Sequence, residues 1–430
     1  MKTVSFITLG CKVNQYDTAV LMNKLPKSRY KTVPFTEKAD VYVIDTCTVT
    51  HKADAEARNY VYRAKRANPQ GVVVVTGCYA QVSSEELKGV DGVDYVVGNS
   101  DKFTSLLKVI RDGEQQTEPR VFRSDIFKEK KKSFESPDIE NFPGRTRAFL
   151  KVQDGCNYAC SFCIIPRARG RSRSLEVPEI LNRMEKLSHA GYKEIVLTGI
   201  HIASYGRDIG TSFFELMKQI EEAKIVNRVR LTSLDPADFD TDFIEFVASS
   251  KTICPQFHVA LQSGDLDVLK RMRRRYAPER FLELTNRIRK TMPEAAIGSD
   301  IMVGFPGETE EEFLNTYDVA QESPLTYFHV FPYSKRKMTS AAVMPDQVRP
   351  DIIKDRSKRL RELGSKKKTE FVKSFVGKTF PVLVETHSKG TTTNYISVRL
   401  EDEDLRVGDE VDVTITGVKG EEAIGTTALI

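Results

Sequence analysis

The sequence predicts an α/β protein in three parts: an N-terminal parallel α/β domain, a partial barrel of six β/α units, and a small C-terminal β-barrel. Three observations carry this reading. Strand-length apolar runs alternate with helix-compatible stretches over residues 1–112, and a second such series starts near Arg147. The last residues, 375–430, break into short strands between Gly and charged turns. Alternating strands and helices imply a parallel sheet with crossover helices on its faces. Short, evenly spaced strands with charged turns suit a small barrel.

In the first part, TVSFITLG, VYVIDT, VVVVTG and VDYVVGN read as four strands, with helix-compatible stretches at Thr50–Asn68 and Ser83–Lys88 between them. Residues 113–144 differ: they hold KEKKKS, prolines and few periodic apolar positions, and read as a linker between domains. The second series, 145–374, opens with the strand AFLKVQDG and the helix Val177–Ala190, where Leu181, Met184 and Leu187 fall at helical spacing. EIVLTGI is a strand and Phe213–Ala223 a helix. RVRLTSL, QFHVAL, AIGSDIMVGF and YFHVFPYS supply four more strands. Six units are too few for a closed eight-unit barrel and suit an open one with an exposed mouth. Residues 345–375 read as helical and basic; from Lys335 to Lys368 there are 12 Lys+Arg against 4 Asp+Glu, a net of +8. TFPVLVET, NYISVRL and EVDVTITGV follow as the strands of the last part.

Length and composition bound the function. A chain of 430 residues has room for two or three cores. Its N-terminus turns polar too soon for a secretory leader, and no apolar run approaches the ~18 residues of a membrane span. A cytoplasmic setting is expected. Seven cysteines, an odd number in a long chain, do not read as a disulfide framework; grouped cysteines in a reducing compartment bind metal or do chemistry. The net charge of +5 does not by itself imply a nucleic-acid partner.

Cys156, Cys160 and Cys163 lie in GCNYACSFCIIPRARGRS, spaced C-x3-C-x2-C directly after a predicted strand. Three thiolates on one loop can ligate three irons of a 4Fe–4S cluster and leave the fourth open. Zinc remains an alternative if His258 or His201 supplies a fourth ligand. The N-terminal cysteines carry a second pattern. Cys11, Cys47 and Cys78 each follow a predicted strand, and two follow a glycine. Carboxyl ends of parallel strands share one edge, so the three thiols are expected to converge. Three buried structural cysteines are the plain alternative. Cys254 reads as packing.

CNYACSFCIIPRARGRSRS resembles the radical S-adenosylmethionine (SAM) methylthiotransferases, and the resemblance covers essentially the whole chain. It implies an auxiliary-cluster domain, a radical SAM barrel and a C-terminal RNA-binding β-barrel of the TRAM type. It implies two 4Fe–4S clusters, on Cys11, Cys47, Cys78 and on Cys156, Cys160, Cys163, with SAM as the second cofactor. LGCKVNQYDT (Leu9–Thr18), LTGIHIASYG (Leu197–Gly206) and LKRMRRRY (Leu269–Tyr276) resemble the branch that acts on N6-threonylcarbamoyladenosine at tRNA position 37. Branches acting on isopentenyladenosine or on a ribosomal protein have CQMN or LGCPKN instead. On this resemblance one SAM methylates a cluster-associated sulfur, and a second yields the radical that activates adenine C2. The partners implied are the tRNA anticodon loop, an electron donor such as flavodoxin or ferredoxin, and a sulfur donor, with no membrane.

Candidate SAM contacts are Phe162, Thr198, Gly199, Ser233, Gln262 and Phe331; barrel packing is the alternative for the strand-end residues. Pro306, Gly307 and Glu308 are a ligand loop or an ordinary turn and helix start. Arg271, Arg273, Arg274 and Arg275 form a basic run, read as phosphate contact or solvated face, with Arg271 and Arg275 on one helix face. Lys366–Lys368 and Lys130–Lys132 read as solvated or linker charge. Two features depart from the family pattern. A Pro-Gly is expected near Lys337–Met338, and the TRAM-like segment 377–430 has 5 Lys+Arg against 10 Asp+Glu, a net of −5. An RNA-binding module is usually basic, so the basic stretch before it is the stronger candidate for tRNA contact. A non-catalytic iron–sulfur tRNA-binding protein is the competing class; it has no need of an open iron site.

Overall fold

A computed structural model describes residues 1–128, 139, 141–142, 144–402 and 404–428. Lys130–Lys132 lie outside the described residues. Six strands form one sheet: β1 (Lys2–Thr8), β2 (Tyr30–Thr32), β3 (Val41–Thr46), β4 (Val72–Gly77), β5 (Tyr95–Gly98) and β6 (Arg120–Phe122). Their order is β2-β1-β3-β4-β5-β6, and every pairing is parallel. Strands β3, β4 and β5 are buried along their whole length. Alternate residues therefore enter opposite cores, as the two-residue period of a strand dictates. Tyr42, Ile44, Val73 and Val75 pack with Ala57, Val61 and Ala64 of the helix His51–Ala67. Val41, Val43, Val72 and Val74 pack with Leu106, Val109 and Ile110 of the helix Ser105–Asp112 on the other face. The sequence reading missed β2 and β6, three-residue edge strands with little burial to mark them. Strand β6 lies within the stretch read as a linker.

The chain divides into two compact units. The first is Met1–Asn141 with Gln153–Leu175 and Ser334–Ala342; the second is Phe142–Val152, Glu176–Tyr333 and Val343–Ile430. Strand β7 (Arg147–Lys151) belongs to the second unit. Immediately after it, β8 (Gln153–Asp154) pairs antiparallel with β9 (Arg173–Ser174) and closes a loop that belongs to the first. That loop carries Cys156, Cys160 and Cys163.

In the second unit, β10 (Glu194–Thr198) pairs with β7 and with β11 (Arg228–Arg230) in a three-stranded parallel sheet. Strands β12 (Ser233–Leu234), β13 (Gln256–Val259), β14 (Ala296–Val303) and β15 (Tyr327–Pro332) form a four-stranded parallel sheet in that order. The run RVRLTSL thus splits into β11 and β12, where the chain passes from one sheet to the other. The barrel is partial, as expected. Strands β16 (Thr379–Thr386), β17 (Lys389–Thr392), β18 (Ser397–Leu400), β19 (Glu410–Lys419) and β20 (Glu422–Thr427) close a second barrel in the order β16-β17-β18-β20-β19.

The basic stretch forms the helix Pro350–Lys373, and part of its charge is engaged by partners within the protein. Arg356 is buried against Glu308, Arg359 reaches Glu310, and Lys368 pairs with Glu421. The exposed positions mix Lys354, Lys358, Arg361, Lys366 and Lys373 with Asp351, Asp355, Glu362 and Glu370. The helix surface is therefore nearly balanced rather than strongly basic.

A buried ion cluster ties the two barrels of the second unit together. Glu194, fully buried on β10, accepts from Arg228 Nε at 2.9 Å and from Arg230 Nε at 2.7 Å. The same arginines donate to carbonyls of Pro381, Thr391, Thr392 and Thr393 in the C-terminal barrel. Burial pushes the Glu194 carboxyl up, but Arg230, Arg228 and Arg147 outweigh it and hold the pKa at about 2. Its stabilising contribution is therefore complete above the ordinary value of 4.5 and is lost as pH falls toward 2.

Met338 occupies a left-handed backbone conformation, φ +70°, with its side chain exposed. The resemblance implies a Pro-Gly near Lys337–Met338; here a residue with a Cβ takes the left-handed conformation, which strains it. Met338→Gly is expected to raise unfolding stability by about 0.5–1 kcal/mol; denaturant titration giving no gain contradicts the strain. Glu194→Gln removes the carboxylate that Arg228 and Arg230 share, leaving Arg228 with Glu410 alone, and is expected to cost about 3 kcal/mol. It should also flatten the fall in stability between pH 4.5 and 2. Calorimetry over that range checks both, and an unchanged acid profile contradicts the assignment.

Candidate functional site

Cys11, Cys47 and Cys78 stand at the carboxyl ends of β1, β3 and β4, which are neighbours in the sheet. Cys11 caps the helix Lys12–Asn23, Cys47 directly follows β3, and Cys78 begins the short helix Cys78–Val82. Two glycines make the approach possible. At Gly10, φ +109°, an added Cβ would lie 2.6 Å from Cys47 Cβ. At Gly77, φ +98°, it would lie 2.4 Å from both Asp45 Oδ1 and the Thr46 carbonyl. A side chain at either position would force the cysteine loops apart.

The three thiols interact. Burial raises the Cys11 pKa, with Arg169 opposing and Cys78 reinforcing it; the Cys11 residue surface is nonetheless exposed. Burial, then Cys78 and Cys11, push Cys47 up to about 12. Three mutually repelling thiolates are costly without a cation, and a soft metal centre removes that cost by displacing their protons. Polar groups surround the sulfurs: Cys11 Sγ lies 3.6 Å from Asn14 Oδ1, Val49 N donates to Cys47 Sγ, and Asn99 Nδ2 donates to Cys78 Sγ, both at 3.5 Å.

The second triad occupies the β8–β9 loop in the same compact unit. Cys163 N donates to the Cys160 carbonyl at 3.1 Å, and Tyr158 N to Cys156 Sγ at 3.4 Å. Cys156 N donates to the Gly170 carbonyl at 3.0 Å, which folds the loop back on itself. All three cysteines are half-buried, as is Phe162. Each triad offers three thiols, and the seventh cysteine, Cys254, is buried in the second unit. Three thiolates without a fourth fit a 4Fe–4S core with one open iron; the soft donor set fits it as well.

A single guanidinium joins the two triads. Arg169, six residues after Cys163, is buried and pairs with Asp17 at 3.0 Å and Asp154 at 3.2 Å. Its Nη2 also donates to Asn14 Oδ1. Asn14 in turn donates to the Leu9 carbonyl at 3.2 Å and the Thr46 carbonyl at 2.9 Å, so it braces the Cys11 and Cys47 loops together. Lys102 bonds both Asp45 oxygens at 3.0 Å and completes the buried network. Asn99 links the Cys78 loop to the Ala168 carbonyl at 2.9 Å. None of these residues was singled out from the sequence. The one legible signal was Asp45, a charge inside an otherwise apolar buried strand.

In the second unit the strand-end candidates separate. Gln262 and Phe331 flank β14 at one level: Met302 N donates to the Gln262 carbonyl at 2.8 Å, and Phe331 is in register with Met302. Gln262 adopts φ +60°, a left-handed strain of the kind that gathers at functional positions. Phe331 is exposed, Thr198 is buried, and Gly199 is intermediate. Ser233 is exposed and opens a strand rather than following one. His258, Asp300, Tyr327, His329 and Phe331 fall at alternate positions of β13, β14 and β15, so they share one sheet face. His258 Nε2 lies 3.1 Å from Asp300, and its ring stacks with His329. Sequence reading considered His258 only as a zinc ligand and missed this stripe, which the period-two spacing could have revealed.

The arginine run does not form one helical face. The helix Leu266–Arg271 ends at Arg271, and Arg273 is left-handed, φ +59°, so Arg275 lies off the helix. Arg271 grips Glu312 with two bonds of 2.8 and 2.9 Å, and Arg274 pairs with Asp235. Arg273 and Arg275 are exposed. Glu308 is likewise anchored, accepting from Arg356 and from Gly304 N, and Thr309 caps the next helix with a reciprocal bond to Glu312. Among the described residues, His201, Asp235 and Asp238 come close enough to share an ion. Arg274 and Arg207 already compensate their carboxylates.

The chain is similar to known proteins over most of its length. Residues 3–98 match a family described as uncharacterized protein family UPF0004, and residues 150–320 match the Radical SAM superfamily. The threonylcarbamoyladenosine tRNA methylthiotransferase MtaB of Aquifex aeolicus is 41% identical over 399 residues, 93% of this chain and 96% of its own. The protein of the same name from Bacillus subtilis is 41% identical over 426 residues, 96% of this chain and 94% of its own. A tRNA-2-methylthio-N(6)-dimethylallyladenosine synthase of Acetivibrio thermocellus is 34% identical, covering 96% and 88%. Among solved structures, the radical SAM methyltransferase TsrM of Kitasatospora setae shares the fold, with a TM-score of 0.56 at 17% identity over 80% of this chain and 75% of its own. The chain belongs to the radical SAM methylthiotransferase family, in its MtaB-like branch.

Proposed function

We propose that the protein converts N6-threonylcarbamoyladenosine at tRNA position 37 to its 2-methylthio derivative. The observation that carries the reading is the presence of two all-cysteine triads within one compact unit. Identity of 41% to two MtaB proteins supports the substrate. The target is the C2–H bond of adenine, which offers neither an acidic proton nor a leaving group, so side-chain acid–base catalysis has nothing to act on. Bound 4Fe–4S clusters and SAM supply the one-electron chemistry and the methyl group.

The chain's own residues bind and orient. Cys156, Cys160 and Cys163 hold the SAM-cleaving cluster, and Cys11, Cys47 and Cys78 hold the auxiliary one. Phe162, Thr198, Gly199, Gln262 and Phe331 are the proposed SAM contacts; Ser233, exposed at the start of a strand, remains with them. For tRNA phosphate the candidates are Arg271, Arg273, Arg274 and Arg275; Arg273 and Arg275 are the more exposed of the four. Loop bases are read by stacking and edge contacts once splayed out. A one-electron donor such as flavodoxin or ferredoxin and a sulfur donor complete the partners. No helix of the described residues is long and apolar enough to cross a membrane, and we assign the protein to the cytoplasm with its tRNA substrate.

Mass spectrometry of tRNA nucleosides from cells with and without the gene tests this. Loss of 2-methylthio-N6-threonylcarbamoyladenosine with a rise of its precursor is expected. Loss of the isopentenyladenosine derivative instead reassigns the substrate. Replacing Cys11, Cys47 and Cys78 by Ala should halve bound iron from about eight to about four per chain and abolish methylthio product while SAM cleavage persists. Undiminished iron contradicts the assignment of that triad.

A further inference from the structure

Arg169 is among the largest fully buried side chains of the protein, and the reaction as described gives it no task. Its three partners come from two separate segments of the chain. Asn14 and Asp17 lie on the helix that Cys11 caps, and Asp154 lies two residues before Cys156. Its Nε–H is buried with no acceptor among the described residues. An orphaned donor on a buried cation is expensive to maintain, and a hydrophobic residue of similar volume would serve packing as well or better. The charge is therefore kept for something it does. Asn14 shows what: its Oδ1 receives both Arg169 Nη2 and the Cys11 thiol, while its Nδ2 holds the carbonyls of Leu9 and Thr46. Arg169 thus fixes which way Asn14 faces, and Asn14 fixes two of the three cysteine loops. Asp17 and Asp154 hold the guanidinium in place, and Lys102 with Asp45 and Asp17 extends the network.

We propose that Arg169 is a positioning residue of the Cys11/Cys47/Cys78 site: it sets the register of that site against the Cys156–Cys163 loop and supplies the fixed positive charge that favours the reduced, more negative form of the group held there. This rests on the two-cluster reading above. A fixed cation beside a redox centre raises its midpoint potential, because reduction adds one electron to the same low-dielectric surroundings. The carboxylate of Asp154 acts in the opposite sense.

The test is a redox titration followed by electron paramagnetic resonance, in chains whose Cys156, Cys160 and Cys163 are Ala so that only the N-terminal cluster reports. Arg169→Met is expected to lower the reduced-to-oxidised ratio at fixed potential about tenfold, about 59 mV for a one-electron couple. Arg169→Lys, which keeps the charge, should restore most of it. Asp154→Asn, isosteric, should shift the ratio the other way by a few-fold. Opposite signs at Arg169 and Asp154 are not produced by loss of structure, which would move both variants alike, and the Lys and Asn variants carry the test if the Met variant does not fold. Potentials unchanged in Arg169→Met and Asp154→Asn, or shifted in the same direction, overturn the proposal. A parent chain with Cys11, Cys47 and Cys78 intact that assembles no cluster overturns the two-cluster reading itself, and this inference with it.

Discussion

The sulfur-bearing half of this protein depends on the bonds of one buried guanidinium. Arg169 meets Asn14 and Asp17 on one side and Asp154 on the other, and the cysteine loops at the sheet edge and after β7 are assembled around it. Buried ion pairs are weak contributors to net stability, since desolvation cancels much of their attraction, but they are costly to break and specific in geometry. That balance suits a site whose parts come from distant stretches of sequence. Hydrophobic contact is indifferent to small slides; a forked donor held by three acceptors is not. The division of the chain runs the same way: residues 153–175, which interrupt the barrel sequence, belong with the N-terminal sheet.

A similar device recurs in the second unit. Glu194, with Arg228 and Arg230, fastens the partial barrel to carbonyls of the C-terminal barrel. That barrel is acidic overall, and it is attached through backbone acceptors rather than through its carboxylates alone. The long basic helix preceding it spends Arg356, Arg359 and Lys368 on internal partners. Its positive count in the sequence therefore overstates what an approaching phosphate would meet.

Much of the architecture was legible because burial writes itself into periodicity. Val72–Gly77 could be nothing but a central strand, and the placement of Cys11, Cys47 and Cys78 after three such strands foretold their convergence. What escaped were elements whose stability comes from partners rather than pattern. Strands β2 and β6 are short edges. The RVRLTSL run divides between two sheets because of its neighbours, not its residues. The arginine run at 271–275 looked helical until the chain turned left-handed at Arg273. Asn14, Asp17, Asp154 and Arg169 are ordinary polar residues one at a time; only their joint burial gives them meaning, and charge counts along the chain carry no trace of that.

The central claim is that both triads belong to one body, bridged by Arg169. Pulsed electron paramagnetic resonance on the fully loaded, doubly reduced protein tests it most directly. The account predicts that the two cluster spins interact, with the relaxation of each accelerated relative to chains carrying only one triad. Two independent signals, unchanged when either triad is deleted, would contradict it.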